Sequence, residues 1–315
     1  MIKDYTLFAM IKHLVKKFLF LLCSLFVVVT LTFFLMHAVP GDPFSDDQIA
    51  SEEILRSLRA YFHLDEPLLE QFGRYLYNLL HLDFGPSLKY SGRNTIDMIL
   101  EGFPVSMILG IEALLFTCSF GIFMGTIAAI YRNTKIDRTA MVCAVFAVSV
   151  PSFILATFLQ YLFAIHFPIF PVARWGNFMH TVLPSLSLAA LPSAFIARLT
   201  RANMIEVLEQ DYILTARSKG LSTFTILVKH VMRNTLLPIV SYLGPLVSTI
   251  LTGSFVVERI FGIPGLGQWF VFSIMNRDYT LIMALTIFYS AFLMLCVYFM
   301  DVLYCLIDPR IRLKR

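Results

Sequence analysis

The sequence predicts an all-α integral membrane protein with six transmembrane helices, and three observations carry that prediction. The first is composition: of 315 residues 58% are hydrophobic and 15% charged, with a mean hydropathy of +0.75, whereas soluble globular domains average about 25% charged residues. The second is that six stretches are free of Asp, Glu, Lys and Arg for about the ~20 residues a helix needs to cross a hydrocarbon core of about 30 Å. The third is an alternation of basic residues. Of 25 Lys and Arg, 17 lie at the two termini and in segments 131–138 and 198–235; the two short segments of opposite parity hold only Arg174, Arg259 and Arg277. By the positive-inside rule, both termini and the 198–235 segment are expected on the cytoplasmic side.

The first uncharged run, 18–41, follows Lys12, Lys16 and Lys17. It exceeds the apolar core of a secretory signal, and Pro40 and Pro43 stand where cleavage would be needed, so it reads as an uncleaved transmembrane helix. Segment 38–101 is then external, with eleven acids against five bases. It should hold two short amphipathic helices. "SEEILRSLRAYFHL" has Ser51 as N-cap and Ile54, Leu55, Leu58 and Tyr61 on one face; "DEPLLEQFGRYLYNLLHL" has Asp65 as cap, Pro67 in the first turn, and Leu68, Phe72, Tyr75, Leu76 and Leu79 at helical spacing. These helices either pack on the membrane helices or help dock an external partner.

The second run, 113–131, extends its apolar character back past Glu112 to about Pro104. The third, 139–173, carries prolines at 151, 168 and 171, so its later part is expected outside the bilayer. The fourth covers 175–197 with its apolar part from Leu183, the fifth 234–257 and the sixth 279–300. Without water to bond the backbone, these spans must be helices. Glu112 and His37 are ionisable residues within apolar runs. Such residues cost at least about 2.5–3.5 kcal/mol at the bilayer centre. Glu112 therefore reads as a translocation-path residue or as a snorkelling or paired structural carboxyl. Cys23, Cys118, Cys143, Cys296 and Cys305 fall in or beside apolar segments without metal spacing and read as small buried apolar residues.

No catalytic, cofactor-binding or metal-ligating constellation is evident. No lysine precedes Ser or Thr, so the phosphate-cradling loop is missing, and no histidine precedes Glu, so there is no zinc helix. A G-x-S-x-G elbow is missing too. The chain is expected to be non-catalytic, and nothing in it points to nucleic acid.

One polar, helix-friendly stretch stands between the fourth and fifth runs: "EQDYILTARSKGLSTFTILVKHVMRNTLLP". "DYILTARSKG" reads as a helix with Asp211 in or before its first turn. Tyr212, Thr215, Ala216, Lys219 and Gly220 fall on one face, of small residues, a ring and a lysine. Gly220 suits the left-handed position that ends a helix, and Ser222 can cap the next one, which meets Pro238 at the fifth crossing. A short helix held across the ends of membrane helices is a lever. The bland alternative is an ordinary loop, with Arg217 and Lys219 serving only as positive-inside charges.

These residues also carry a resemblance. "TARSKG" with a later "LLP" is similar to the cytoplasmic EAA loop of permease subunits in bacterial ABC importers. "HAVPGDP", "HLDFGPSLKY", "SYLGP", "VVERIFGIPGLGQ", "NRDYTL" and "DVLYCLIDPRIR" resemble, in order, the peptide/nickel branch, most of all the oligopeptide permease B-subunit family. The loop's usual Glu-Ala opening is Leu214-Thr215 here, a departure common in the peptide branch. The resemblance implies a type I ABC importer permease architecture in a bacterial inner membrane. It implies as partners a second homologous permease subunit in a heterodimer, two ATPase subunits and an external peptide-binding protein. It also implies ATPase coupling through Thr215, Ala216, Arg217, Lys219 and Gly220. The cargo is expected to be oligopeptide, with dipeptide, nickel or haem as alternatives in the same family. An ion-coupled secondary transporter and a non-transporting scaffold are the rivals of other classes. The expected organisation is 1–103 for the N-terminus, first span and external region, 104–307 for the permease core with the coupling loop, and 308–315 for a cytoplasmic tail.

Overall fold

A computed structural model describes residues 2–39, 52–251 and 254–307. Pro40, Pro43, Ser51 and the 308–315 tail lie outside the described residues, as do the side chains of Ile54, Leu55, Leu58 and Cys305. Among the described residues the regular structure is helical, apart from one isolated antiparallel bridge between Pro86 and Asn94.

The helices are α1 (Ile2–Ala38), α2 (Glu52–Tyr61), α3 (Leu68–Leu80), α4 (Thr95–Ile130), α5 (Lys135–Ser149), α6 (Ser152–Gln160), α7 (Met179–Leu208), α8 (Asp211–Ser218), α9 (Thr223–Thr225), α10 (Met232–Leu251), α11 (Phe255–Phe261), α12 (Leu266–Met275) and α13 (Tyr279–Ile307). A π-helical turn, Tyr161–His166, prolongs α6, and another, Ile226–Val231, joins α9 to α10. Five stretches are long and apolar enough to cross a bilayer: Leu14–Ala38, Thr95–Ile130, Met179–Leu208, Thr223–Leu251 and Tyr279–Val302. The pair α5–α6, with the π-helical turn that follows it, is bent by 104° and makes a sixth when counted as one broken span. Pro151 sits at that bend as the N-cap of α6, and a proline there cannot continue α5's hydrogen bonding. Prolines inside α4, α7 and α10 are accommodated without ending them.

Several expectations need correction. The helix of the first span reaches back to Ile2. Pro67, not Asp65, is the N-cap of α3: its extended backbone (φ −56°, ψ 140°) sets the helix entry, and no side chain caps the turn. Two helices, α11 and α12, stand between the fifth and sixth spans, where only a motif was legible. Cys23 and Cys143 are exposed and Cys118 and Cys296 half-buried; on a membrane helix a small apolar side chain can face lipid as well as core.

The chain divides into two compact units. The first comprises Met1–Pro104 and Gln268–Leu295. Its core is built where α3 meets the end of α1: the buried ring of Phe33 lies 5.2 Å from Phe72 and 5.6 Å from Tyr75. His37 is satisfied there, with Nδ1 2.8 Å from the Phe33 carbonyl and Nε2 3.2 Å from Gln71 Oε1. Asp278 starts α13 by accepting from the Leu281 N–H at 3.1 Å. It also accepts from the Ser87 hydroxyl and, at 3.2 Å, from the Leu88 N–H. Two distant motifs, "GPSLKY" and "NRDYTL", therefore meet at one carboxylate.

The second unit comprises Val105–Gly267 and Cys296–Arg315. Here α4 crosses α7 through Gly121 and Gly125, a Gly-x-x-x-Gly spacing. A Cβ at Gly121 would lie 2.7 Å from Ile196 Cβ, and one at Gly125 2.5 Å from the Ala197 carbonyl. Only hydrogens at these positions let the two backbones approach, which is how membrane helices pack where burial from water is not the driving force.

Candidate functional site

The site is built on α8, within the second unit. Gln210 is its N-cap with extended backbone, Asp211 lies in its first turn, and no side chain completes the cap. At the other end Gly220 has φ +75°, the Gly220 N–H donates to the Arg217 carbonyl at 2.9 Å, and the Leu221 N–H donates to the Ala216 carbonyl at 3.4 Å. This pair of bonds is the Schellman stop, and its left-handed residue strains most side chains with a Cβ, Asn and Asp least. Ser222 restarts the chain as a helix by accepting from the Thr225 N–H at 3.2 Å.

One side of α8 faces into the chain. Ile213 and Ala216 are buried with Ala129, Met204, Ile226 and Val231, which come from α4, α7 and the π-helical turn. This corrects the expectation that Ala216 shares an outward face with Thr215 and Lys219. Positions 213 and 216 are one turn apart on the inner side, so Ala216 seats the helix. Thr215, Arg217, Lys219 and Gly220 are exposed, joined by Leu214 and Ser218. Tyr212 is tied laterally: its hydroxyl accepts from Asn234 Nδ2 at 2.7 Å. The helix α8 is thus tied to the fifth span through the Tyr212 hydroxyl and to the core through Ile213 and Ala216.

Two ion pairs brace the neighbourhood. Arg132 pairs with Glu209 across the exposed surface, a contact of little energetic weight. Arg201 on α7 binds the carboxylate of Asp137 on α5, which also accepts from the Asn133 N–H at 2.9 Å. By sequence Arg201 is one of the positive-inside charges, and the acid it binds lies 64 residues away.

Glu112 is half-buried on α4, and the Ser185 hydroxyl from α7 lies 3.0 Å from its Oε2. A second carboxylate lies deeper. Glu258 on α11 is fully buried; it accepts from the Ser106 hydroxyl at 2.7 Å and from the Gly267 N–H at 2.8 Å, while Ser106 Oγ accepts from the Leu266 N–H at 3.0 Å. The only signal was the motif "VVERIFGIPGLGQ", whose glutamate and glycines fold onto each other.

The first unit holds a cavity of about 380 Å³ lined by Phe33, His37, Tyr75, Asn78, Tyr279 and Met283, among others. The Tyr75 hydroxyl is buried with no hydrogen-bond partner among the described residues, and burial pushes its pKa up. The described residues contain no cluster of three or more His, Cys, Asp or Glu able to hold a metal ion.

The chain resembles known proteins in sequence and in fold. Residues 121–313 match the family described as "Binding-protein-dependent transport system inner membrane component", and residues 10–110 match the N-terminal membrane-component family of the same systems. A dipeptide transport system permease protein of Bacillus subtilis (strain 168) is 47% identical over 306 residues, covering 97% of this chain and 99% of that protein. An oligopeptide transport system permease protein of Escherichia coli (strain K12) is 41% identical over 305 residues, covering 96% and 100%. A methionine ABC transporter solved in inward-facing conformations shares the fold at a TM-score of 0.57 with 17% identity, over 67% of this chain and 96% of that one.

Proposed function

The chain belongs to the family of inner-membrane components of binding-protein-dependent transport systems, and from that premise we propose that it is the membrane-spanning permease subunit of an ATP-driven peptide importer. Relatives named for dipeptides and for oligopeptides are both similar over nearly the whole length, so the proposed cargo is peptide, without a commitment to its length.

The observation that carries the coupling role is the two-sidedness of α8. Ile213 and Ala216 bind it to a core shared with α4 and α7, while Thr215, Arg217, Lys219 and Gly220 are left free for a partner. A partner that grips the exposed side moves the helices behind it as a body. In this proposal both termini and α8 are cytoplasmic, two ATPase subunits hold α8 and its counterpart on a second permease subunit, and an external binding protein delivers peptide. ATP favours one global state only through contacts that differ between states, and α8 supplies them. The subunit itself provides path and lever, with hydrolysis in its partners.

The test is reconstitution with the partner subunits in proteoliposomes, followed by peptide uptake. Uptake that needs ATP and persists when ion gradients are collapsed supports the proposal. Uptake that survives without ATP and stops with an uncoupler overturns it in favour of ion coupling.

A further inference from the structure

Around α3, at about 100° per residue, the side chains fall into three arcs. Phe72 and Tyr75 rest on Phe33, and Phe72 also on Phe34. Glu70, Arg74 and Asn78 form a polar arc, with Arg74 bound to both oxygens of Glu66. Between them lie Leu69, Tyr77 and Leu80, exposed by 76%, 64% and 83%. The apolar arc of this helix is therefore wider than the chain covers.

We propose that α3 is a bilayer-surface anchor, with Leu69, Tyr77 and Leu80 buried at the boundary of lipid headgroups and acyl chains. The assignment to lipid rests on continuity. Leu31, Phe34 and Leu35 are exposed along one side of the span Leu14–Ala38, and Phe34 meets Phe72 of α3 with ring centroids 5.3 Å apart. The lipid-facing strip of α1 thus continues onto α3 at the level where the span ends. There Glu70 faces water and the uncovered apolar arc faces the acyl boundary, the disposition of an interfacial amphipathic helix. Tyr77, with an apolar ring and a polar tip, suits that depth. The inference needs only that α1 crosses the bilayer and is independent of the cargo.

The experiment uses the full chain with its partner subunits in phosphatidylcholine–phosphatidylglycerol nanodiscs. In a background with the five native cysteines replaced by alanine, nitroxides are attached through Leu69→Cys, Leu80→Cys and Glu70→Cys. All three positions are exposed, so the labels displace no core. Collisions are measured with oxygen, which concentrates in lipid, and with a water-soluble nickel chelate. The expected result is loss of chelate broadening at 69 and 80, with oxygen dominant, and the reverse at 70. Chelate access at 69 and 80 equal to that at 70 overturns the proposal. So does protection that appears only when the external binding protein is added, since that assigns the face to protein. Because the readout is a collision rate and not uptake, its failure is distinguishable from failure of the transport reading.

Discussion

Arg201 holds Asp137 with two N–H groups on one edge of its guanidinium, Nε 2.6 Å from Oδ1 and Nη2 2.8 Å from Oδ2. Asp137 is only 3% exposed, so removing the arginine strands a buried carboxylate. Arg201→Leu is expected to lower the stability of the assembled complex by about 3 kcal/mol, read as a fall in Tm in nanodiscs. Arg201→Lys should recover only part, because an ammonium cannot make the paired bond. The double variant Asp137→Asn with Arg201→Leu should lose less than the sum of the single losses; strict additivity would mean that the pair is not coupled.

Gly220 separates turn geometry from partner contact. At φ +75° an asparagine is tolerated, whereas a β-branched residue is strained by about 1–2 kcal/mol. No atom lies within 4 Å of a Cβ built there, so the chain itself has room for a side chain. Gly220→Asp is expected to insert in the membrane at the wild-type level and to keep basal ATPase in the assembled complex while losing ATP-driven uptake. Gly220→Asn should insert equally well. Wild-type uptake by Gly220→Asp in cells with no other peptide importer would remove α8 from the coupling role.

At the crossing of α4 and α7 the margin is smaller than one methyl group. A Cβ at Gly125 would lie 2.5 Å from the Ala197 carbonyl oxygen and 2.6 Å from Thr200 Cβ. Gly125→Ala must push the helices apart, at a cost of about 1–3 kcal/mol. The expected outcome is a lower Tm with expression retained, and a further loss in Gly125→Val. An unchanged Tm in both variants would mean that the crossing is wider than 2.5 Å allows.

Glu112 tests path against pairing. Ser185 donates to it at 3.0 Å, and a glutamine keeps an acceptor oxygen for that bond. Glu112→Gln is therefore expected to assemble normally and to keep uptake within about twofold. A tenfold fall, about 1.4 kcal/mol in the barrier, with assembly intact, would assign the charge itself to translocation.

What was legible in the sequence follows from the range of the interactions concerned. Five unbroken spans could be read because each is a local run of apolar residues long enough for a bilayer. Gly220 and Ser222 could be read because a left-handed stop and a helix cap are decided within a few residues. The bent third span was half legible: Pro151 marks the break, but not the 104° that follows. Inward and outward sides of α8 were not legible, since Ala216 is small enough for either and its partners Ala129 and Val231 are far away in sequence. The same distance hid Ser87 with Asp278 and Ser106 with Glu258, pairs separated by 191 and 152 residues.

Glu258 is fully buried and takes a donor on each of its carboxylate oxygens. Ser106 has one hydroxyl proton and gives it to Glu258 at 2.7 Å, while its oxygen is already engaged by the Leu266 N–H at 3.0 Å. The other carboxylate oxygen takes the Gly267 N–H at 2.8 Å. A glutamine in the same pose must turn its NH₂ toward one of these two donors, so Glu258→Gln is expected to lower stability by about 1–3 kcal/mol, the cost of an unsatisfied buried group. Glu258→Ala strands both donors and should cost more. Pairing Glu258→Ala with Ser106→Ala removes the hydroxyl donor but strands the Leu266 N–H that Ser106 Oγ accepts, so the double variant is expected to recover none of the loss. Thermal unfolding of the four proteins in one nanodisc preparation decides it: a glutamine variant as stable as the wild type would mean that the carboxylate is not held by donors on both sides.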